Sequence, residues 1–280
     1  MKALYLGDIV GRAARNAVCQ KLPKLRERLK LDFVVVNAEN AAGGFGLTPE
    51  ICEDLFVAGT DVIVTGNHAF NKREILTIMH SERRLLRPAN YPPQTPGSGV
   101  GTYEVKGGRR AMVIQVMGRL FMDPLDDPFA LVERELTSQR LGATVDAIIV
   151  DVHAEATSEK MAMGHLLDGR VSLVVGTHTH VPTADSQILP KGTAYQTDAG
   201  MCGDYDSVIG MEKAVPIARF TRKLPTERLA AASGPATLCA VFVETDDRSG
   251  LARAVSPLRI GGRLTPHWPE IAPPVKEAAG

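Results

Sequence analysis

Residues 172–180 read SLVVGTHTH, an uninterrupted apolar run that ends in two histidines. Four other apolar runs also end on residues that can bind a metal ion or transfer a proton. They are ALYLG before Asp8, FVVVNA before Glu39 and Asn40, VIVTG before Asn67 and His68, and AIIVDV before His153. Such continuous runs are typical of strands buried on both faces. Because sites in open α/β sheets form beyond the carboxyl ends of strands, the five endings predict one shared crevice with a metal centre.

The segments between the runs predict helices and hence an α/β fold. Residues 12–30 carry apolar side chains at helical spacing, and Pro23 within them predicts a kink or a break. Thr48 precedes a proline, which is typical of a helix start. Residues 123–140 predict a helix that begins near 126–128, where another proline follows two aspartates.

Other segments complete the predicted organisation. Residues 71–86 predict a helix capped by Asn71, and the Pro- and Gly-rich residues 87–102 predict an ordered loop or a small lobe near the site. The sixth apolar run, AMVIQVM at 111–117, is followed by Gly and Arg and offers no ligand. From residue 185 onward the strands look antiparallel in character.

Composition limits the classes of function. The chain has 280 residues, 44% of them hydrophobic, and its 32 basic side chains balance 32 acidic ones. This balance argues against an extended nucleic-acid surface, for which a basic domain is expected. Four scattered cysteines without a C-x-x-C pair indicate reduced thiols, and no apolar stretch reaches membrane-spanning length. We therefore expect a cytoplasmic protein that contacts no membrane.

His178 and His180 are the strongest metal-ligand candidates. On an extended segment, residues i and i+2 project to the same side, so the two imidazoles could bind one metal or two neighbouring ones. Gly176 would let the backbone turn tightly after the strand. Glu39 could bridge two cations through its two oxygens, because carboxylates suit hard metals. The alternative for Glu39 is a carboxylate that caps the following turn.

The tripeptide Gly-Asn-His at 66–68 is the sharpest short motif. Asn67 offers a neutral carbonyl oxygen to a metal. The adjacent His68 would point away from that metal and could donate or accept a proton. Gly66 would let the backbone and a ligand approach closely. A plain turn is the alternative, because Gly and Asn are both common turn residues.

Taken in order, these motifs resemble those of the calcineurin-like metallophosphoesterases, and more closely those of the YmdB-like branch. The matching segments are GDIVGR at 7–12, NAENAAGG at 37–44, TGNH at 65–68, DVHAEATSEK at 151–160, GTHTHVPTAD at 176–185, TDAGM at 197–201 and SVIGM at 207–211. The resemblance covers residues 1–262 as one metallophosphoesterase domain. It implies a four-layer sandwich of two mixed β-sheets flanked by helices, with a small accessory lobe. Residues 263–280 would form a loosely packed, Pro-rich C-terminal tail.

One departure from the superfamily pattern affects the ligand set. The first superfamily motif is usually Asp-x-His, but Val10 stands two residues after Asp8, so one ligand is missing. The resemblance implies that Asn40 fills this gap and that Glu39 replaces the usual bridging Asp. It assigns one metal to Asp8, Glu39, Asn40 and His180. It assigns the other metal to Glu39, Asn67, His153 and His178.

The resemblance implies a dinuclear phosphodiesterase that hydrolyses 2′,3′- and 3′,5′-cyclic nucleoside monophosphates. Two cations about 3.5–4 Å apart can hold a bridging hydroxide, which attacks phosphorus in line with the departing oxygen. His68, bound to neither metal, would protonate the leaving oxygen as a general acid. Oxygen and nitrogen ligands without thiolate suit Fe or Mn, with Zn or Mg as alternatives.

Two other functions stay open. One is a regulatory protein that binds metal or nucleotide and acts through a partner in RNA decay, because the branch is linked to global regulation. The other is a phosphomonoesterase. The resemblance also implies a homo-oligomer.

Four aspartates have no settled role in these predictions. Asp151 shares a strand face with His153 and could orient it, since metal-bound histidines usually need an oriented partner. Asp198, Asp204 and Asp206 lie in a glycine-rich loop, either as pocket residues or as turn residues.

Overall fold

The computed structural model describes residues 1–270, and its first large sheet has six strands. Their spatial order is β14 (Ala252–Ile260), β13 (Leu238–Thr245), β1 (Lys2–Leu6), β3 (Phe33–Asn37), β4 (Val62–Val64) and β5 (Leu85–Leu86). β1, β3, β4 and β5 run parallel, so their carboxyl ends lie at one edge. β13 pairs antiparallel with both β1 and β14.

The second large sheet also has six strands. Their order is β10 (Gln187–Ile188), β11 (Ala194–Gln196), β9 (Leu173–Thr177), β8 (Ala147–His153), β7 (Arg109–Met117) and β6 (Val100–Val105). The four central strands are parallel, and β6 and β10 are antiparallel edge strands. The antiparallel character expected after residue 185 is confirmed for β10, β13 and β14, whereas β11 pairs antiparallel with β10 but parallel with β9. A short parallel ladder pairs β2 (Asp8–Ile9) with β12 (Met201–Cys202).

Helices cover the outer faces of both large sheets. They are α1 (Gly11–Leu29), α2 (Pro49–Val57), α3 (Pro128–Ser138) and α4 (Thr157–Leu166), and a fifth helix, α5 (Ala214–Arg222), lies apart from them. α1 and α2 pack on the first sheet, and α3 and α4 pack on the second. The expected arrangement of two mixed sheets flanked by helices is confirmed. Residues 203–236, which carry α5, form a small lobe outside these layers and pack through Met211 on Val10.

The alternation of side chains along β3 explains why the strands read as continuous apolar runs. Val34 and Val36 face α1 and α2, whereas Phe33 and Val35 face the second sheet. Each face is buried because the strand lies between a helical layer and another sheet. All four side chains are at most 1% exposed.

α1 continues through Pro23, so the break, one of the two predicted alternatives, is wrong, and the kink stays a prediction. A proline inside a helix removes one backbone hydrogen bond and crowds the preceding turn. Leu22 and Leu25, on either side of it, are buried in the core against the first sheet. We infer that this burial outweighs the lost hydrogen bond. The predicted starts of α2 and α3 are confirmed, because Thr48 and Asp127 cap their first backbone N–H groups.

The helix predicted over 71–86 is wrong. A short 3₁₀ helix, Arg73–Thr77, occupies its first part, and Asn71 does not cap it. Leu85 and Leu86 form β5 instead and are buried beside β4. Burial at the sheet edge therefore overrides the helical spacing of the apolar residues in this segment.

The segment 87–102 is an ordered loop that leads into β6. The guanidinium group of Arg87 donates hydrogen bonds to the carbonyl oxygens of Pro88, Thr95 and Gly97. One buried cation thus links the start of the loop to residues 95–97, as the prediction of an ordered loop requires.

The last described residues pack on the domain. His267 exchanges backbone hydrogen bonds with Arg259, and the guanidinium of Arg28 lies 3.6 Å from the centre of the Trp268 ring. Residues 271–280, the end of the predicted tail, lie outside the described residues, and the domain boundary at 262 stays a prediction. The four cysteines are free thiols. No helix within residues 1–270 has both the length and the apolar character that a membrane crossing needs.

Candidate metal centre

Two groups of potential metal ligands meet at one edge of the two sheets. Glu39, His153 and His178 offer ligand atoms that all lie within 4.8 Å of one another. Asp8, Glu39 and His180 form a second group by the same measure. Glu39 belongs to both groups, as a bridging carboxylate must. Asp8, Glu39, His153 and His180 are buried, and His178 is half-buried.

Parallel strands bring these residues together. Glu39 follows β3, Asn67 follows β4, His153 ends β8 and His178 follows β9. Asp8 follows β1 after one intervening residue and begins β2. β1, β3 and β4 share a carboxyl edge in the first sheet, and β8 and β9 share one in the second. The two sheets pack on each other, so the five endings converge at one place, as the sequence predicted.

Two buried oxygen atoms at the site lack a hydrogen-bond partner among the described residues. They are Oδ1 of Asp8 and Oδ1 of Asn40. The amide nitrogen of Asn40 donates to the carbonyl oxygen of Gly44 at 2.9 Å, so its carbonyl oxygen is left as an acceptor. Buried polar atoms without a partner are rare and call for a ligand such as an ion. These residues therefore fit a bound metal cation.

His153 is held in one tautomer by a chain of hydrogen bonds. The hydroxyl of Thr177 donates to Asp151 Oδ1 at 2.8 Å and lies 2.9 Å from His153 Nδ1. Because this hydroxyl uses its own proton for Asp151, its oxygen accepts the Nδ1 proton of His153. Nε2 then faces the site, 2.9 Å from Asn67 Oδ1 and 3.2 Å from Glu39 Oε1. Asp151 thus orients His153 as expected, but through Thr177.

The other two histidines have comparable outer partners. His178 Nε2 lies 3.3 Å from a carboxylate oxygen of Glu155, and its Nδ1 lies 3.2 Å from His153 Nε2. His180 Nδ1 donates to the carbonyl oxygen of Ile209 at 2.8 Å. Each ring therefore keeps one nitrogen lone pair for a cation, and such outer partners are typical of metal-bound histidines.

The backbone at the two histidines differs from the extended segment that we expected. His178 has a φ of 94° and His180 a φ of 65°, so both lie in the left-handed region. The turn, rather than i and i+2 spacing on a strand, sends the two imidazoles to different ligand groups. Gly176 also acts differently: it lies within β9, where a Cβ atom would collide with Thr197 and Lys160.

Gly66 permits the close approach that the sequence suggested. A Cβ atom at this position would collide with a carboxylate oxygen of Glu39 and with the ring of His153. Residues 67–70 form a turn. The two alternatives for this motif, a turn and a candidate ligand site, are therefore compatible.

His68 lies beside the ligand groups without belonging to either. Its backbone N–H donates to Glu39 Oε2 at 3.0 Å. On the ring, Nδ1 lies 3.1 Å from the amide nitrogen of Asn71, and Phe45 packs edge-on with ring centres 5.1 Å apart. These contacts fix the imidazole next to the site and leave Nε2 for other partners. Asn71, expected as a helix cap, instead contacts His68.

Burial and mutual charge shift the acid–base groups of the site. Burial raises the pKa of Asp8 to about 7. Burial alone would raise the pKa of Glu39, but the positive charge of His153 outweighs it and holds that pKa at about 2. Burial alone would lower the pKa of His153, but the Glu39 carboxylate raises it to about 9. Burial, followed by repulsion from His153, lowers the pKa of His178 to about 3. Without a cation, the proton that His153 holds therefore balances the negative charge of Glu39.

Gln115 is a supporting residue that the sequence analysis missed. It lies in β7, within the apolar run that offers no ligand, and is fully buried. Its Nε2 donates to Asp151 Oδ2 at 2.8 Å and its Oε1 accepts the N–H of Thr65 at 3.1 Å. Gln115 thus joins the two sheets beneath the centre. A single amide in a run of six apolar residues was the available signal.

The three aspartates of the glycine-rich loop have different roles. Asp198 is fully buried below the turn that carries the two histidines. The carboxylate of Asp204 accepts the backbone N–H groups of Asp206 and Gly234, and it therefore stabilises the backbone of these two loop segments. Asp206 is exposed and pairs with Lys213. Only Asp198 contacts the site region.

Known proteins resemble this chain over almost its whole length. The family described as YmdB-like protein matches residues 4–258. A Bacillus subtilis protein named 2′,3′-cyclic-nucleotide 2′-phosphodiesterase is 47% identical over 249 residues, covering 89% of this chain and 93% of that protein.

Two solved structures share the fold. A hypothetical protein from Thermus thermophilus superposes with a TM-score of 0.87 at 46% identity, covering 94% of this chain and 100% of the other. A novel phosphatase from Mycoplasma pneumoniae gives a TM-score of 0.86 at 34% identity, covering 93% of each chain. The fold and the enzyme class expected from the motifs, a hydrolytic phosphoesterase, are confirmed. The chain belongs to the YmdB-like protein family.

Proposed function

We propose that this protein is a dinuclear metal-dependent phosphodiesterase that hydrolyses 2′,3′- and 3′,5′-cyclic nucleoside monophosphates. The observation that carries the proposal is the position of Glu39 in both ligand groups. The name of the Bacillus subtilis relative supports a cyclic nucleotide as the substrate.

The two ligand groups suggest how two cations would be held. One cation would take Asp8, Glu39, Asn40 and His180. The other would take Glu39, Asn67, His153 and His178. The unpartnered oxygens of Asp8 and Asn40 support the first set. The contact between Asn67 Oδ1 and His153 Nε2 supports the second. Oxygen and imidazole donors without thiolate favour Fe or Mn, with Zn or Mg as alternatives.

The chemistry of the site would divide between the metals and His68. When bound, two cations polarise the phosphoryl oxygens and activate a water molecule for in-line attack. The backbone bond from His68 to Glu39 keeps the imidazole beside the bridging carboxylate. His68 would therefore give its proton to the leaving oxygen.

Phosphomonoester hydrolysis is the second candidate activity. The Mycoplasma pneumoniae structure described as a novel phosphatase favours it. The same ligand set would serve either ester, because the metals would contact only the phosphoryl group. The substituent on the substrate, rather than the centre, would separate the two activities.

One panel of assays tests the proposal. Purified protein would be analysed for metal content and then offered cyclic nucleotides, linear phosphodiesters and phosphomonoesters under Mn²⁺, Fe²⁺, Zn²⁺ and Mg²⁺ in turn. We expect about two metal ions per chain and the fastest turnover with a cyclic nucleotide. Turnover of monoesters alone would favour the second candidate. Nucleotide binding without turnover in the presence of any of these metals would contradict the proposed catalytic activity and favour a regulatory role.

Two further parts of the proposal come from the resemblance to the YmdB-like branch. They are a cytoplasmic location and assembly into a homo-oligomer. Sedimentation of the purified protein tests the second, and a monomer at micromolar concentration would contradict it.

A further inference from the structure

A fully buried ion pair lies outside both ligand groups. Lys160 Nζ, on α4, is 2.8 Å from Asp198 Oδ2, and neither side chain is exposed to solvent. Isolated charges are seldom buried completely, and a buried pair is often no more stable than apolar residues of the same shape. Stability of the fold alone is therefore a weak reason for this pair.

Asp198 is a hydrogen-bond acceptor for the turn that carries two candidate ligands. Its Oδ2 accepts the backbone N–H of Thr179 at 3.1 Å and the hydroxyl of the same residue at 2.7 Å. Its Oδ1 accepts the N–H of Gly200 at 2.8 Å. Thr179 stands between His178 and His180. The carboxylate thus holds the middle residue of the His-Thr-His turn from below.

The turn needs such support because its backbone is unfavourable. His178 and His180 both have positive φ, which L-residues other than glycine seldom adopt. Residues in such conformations persist only where the surrounding structure over-determines them. The two hydrogen bonds from Thr179 to the Asp198 carboxylate restrain the backbone between the two strained histidines. The aliphatic part of Lys160 packs against Gly176, two residues before the turn begins.

We propose that Asp198 and Lys160 are positioning residues that hold the His178–Thr179–His180 turn in the conformation needed to bind two metal ions. Asp198 contacts the turn directly, and Lys160 compensates the buried negative charge of Asp198. This inference rests on the proposed metal centre, and it identifies two residues that fix the geometry of the centre before metal binds. Because the two histidines belong to different ligand groups, loosening the turn would weaken both metal sites together.

The first test uses Thr179, whose side chain is only part-buried. Thr179→Val keeps the shape and the backbone N–H but removes the hydroxyl bond to Asp198. Thr179→Ser keeps that hydroxyl. We expect Mn²⁺ affinity, measured by calorimetry, to fall by about 10-fold or more in the valine variant, within the range for outer partners of metal ligands. The serine variant should restore it.

The second test separates positioning from stability. Asp198→Asn leaves Lys160 buried without a counter-charge, so both the melting temperature and Mn²⁺ affinity should fall. The double variant Lys160→Met with Asp198→Asn removes both charges. We expect the double variant to recover melting temperature relative to Asp198→Asn, yet still to bind Mn²⁺ about 10–100-fold more weakly than wild type.

The control is a part-buried ion pair on other elements, with no hydrogen bond to the turn. Asp61 pairs with Arg26 at 2.6 Å and accepts the N–H of Val34 at 2.7 Å. Asp61→Asn should lower the melting temperature and leave Mn²⁺ affinity unchanged. This variant measures how the loss of an ion pair away from the turn changes the melting temperature and the Mn²⁺ affinity.

The outcomes are decisive in either direction. Equal Mn²⁺ affinity in wild type and Thr179→Val, or in wild type and the folded double variant, would overturn the positioning role. Wild-type protein that binds Mn²⁺ but hydrolyses no phosphate ester would contradict the proposed function and leave the positioning role standing. Protein that hydrolyses cyclic nucleotides while all variants bind Mn²⁺ normally would contradict the positioning role alone.

Discussion

Nε2 of His153 lies 3.2 Å from Oε1 of Glu39, and both side chains are buried. In the absence of metal, the pair is stabilised by the proton that His153 holds. A cation would replace that proton and keep the carboxylate neutralised. Glu39 is therefore the residue on which both proposed metal sites depend.

Glu39→Gln should remove metal binding and abolish phosphoester hydrolysis. An amide has no negative charge and offers one carbonyl oxygen in place of two carboxylate oxygens, so it cannot bridge two cations. Metal analysis after dialysis and turnover of 2′,3′-cyclic AMP measure the two effects. Glu104→Gln changes an exposed glutamate on β6 and should affect neither. Retention of about two metals per chain in Glu39→Gln would contradict the bridging role.

His68→Ala should slow hydrolysis by about 10²–10⁴-fold, the usual contribution of a general acid, and leave metal content unchanged. The loss should shrink with a p-nitrophenyl ester, because a good leaving group needs no proton. His80→Ala, at an exposed position, is the matched control. Unaltered turnover of a cyclic nucleotide by His68→Ala would remove the proton-transfer assignment.

Thr177→Val should weaken metal binding by about 10–100-fold, because the hydroxyl that joins His153 to Asp151 is lost. The histidine would then lose the acceptor that fixes its tautomer, and Asp151 would lose a donor. Thr177→Ser keeps the hydroxyl and should bind Mn²⁺ like the wild type. Equal affinities for all three proteins, measured by titration, would show that this chain of bonds does not orient His153.

The metal-induced gain in melting temperature should increase with pH. The pKa of Asp8 rises from 3.8 to about 7 and that of His153 from 6.5 to about 9 in the folded, metal-free protein. A group whose pKa is higher in the folded protein adds to the free energy of unfolding. This contribution is fully present at a pH below the pKa of the unfolded chain, and it is lost as the pH rises through the pKa of the folded protein. Glu39, with a pKa of about 2, is already ionised throughout this window.

Cations compete with these protons, so binding should release them and become tighter with rising pH. Thermal unfolding with and without Mn²⁺, from about pH 6 to about pH 9, measures the difference. A gain in melting temperature that falls over this range would contradict the exchange of protons for metal.

The candidate ligand residues were predictable from sequence because each of them follows an apolar run that reads as a buried strand. Each follows a buried parallel strand, and Glu39 and Asn67 share the carboxyl edge of the first sheet. His153 ends a strand of the second sheet, and the packing of the two sheets on each other brings it to the same place. Their outer partners were not predictable in the same way. The contact between Thr177 and Asp151 depends on the register of β9 against β8, which no local pattern reveals.

The segment 71–86 shows a second limit of sequence patterns. Its apolar residues recur at helical spacing, but Leu85 and Leu86 gain more burial as an edge strand beside β4 than a surface helix would give them. The His178 turn is a third case. Positive φ at two histidines is held by tertiary contacts with Asp198, and sequence alone favoured an extended segment.

Anomalous diffraction from a crystal grown with Mn²⁺ tests the central claim most directly. We predict two anomalous peaks about 3.5–4 Å apart, with the carboxylate of Glu39 between them, Asp8 and His180 on one ion and His153 and His178 on the other. A single peak that Glu39 does not contact, or two ions bound elsewhere while this site contains none, would contradict the account.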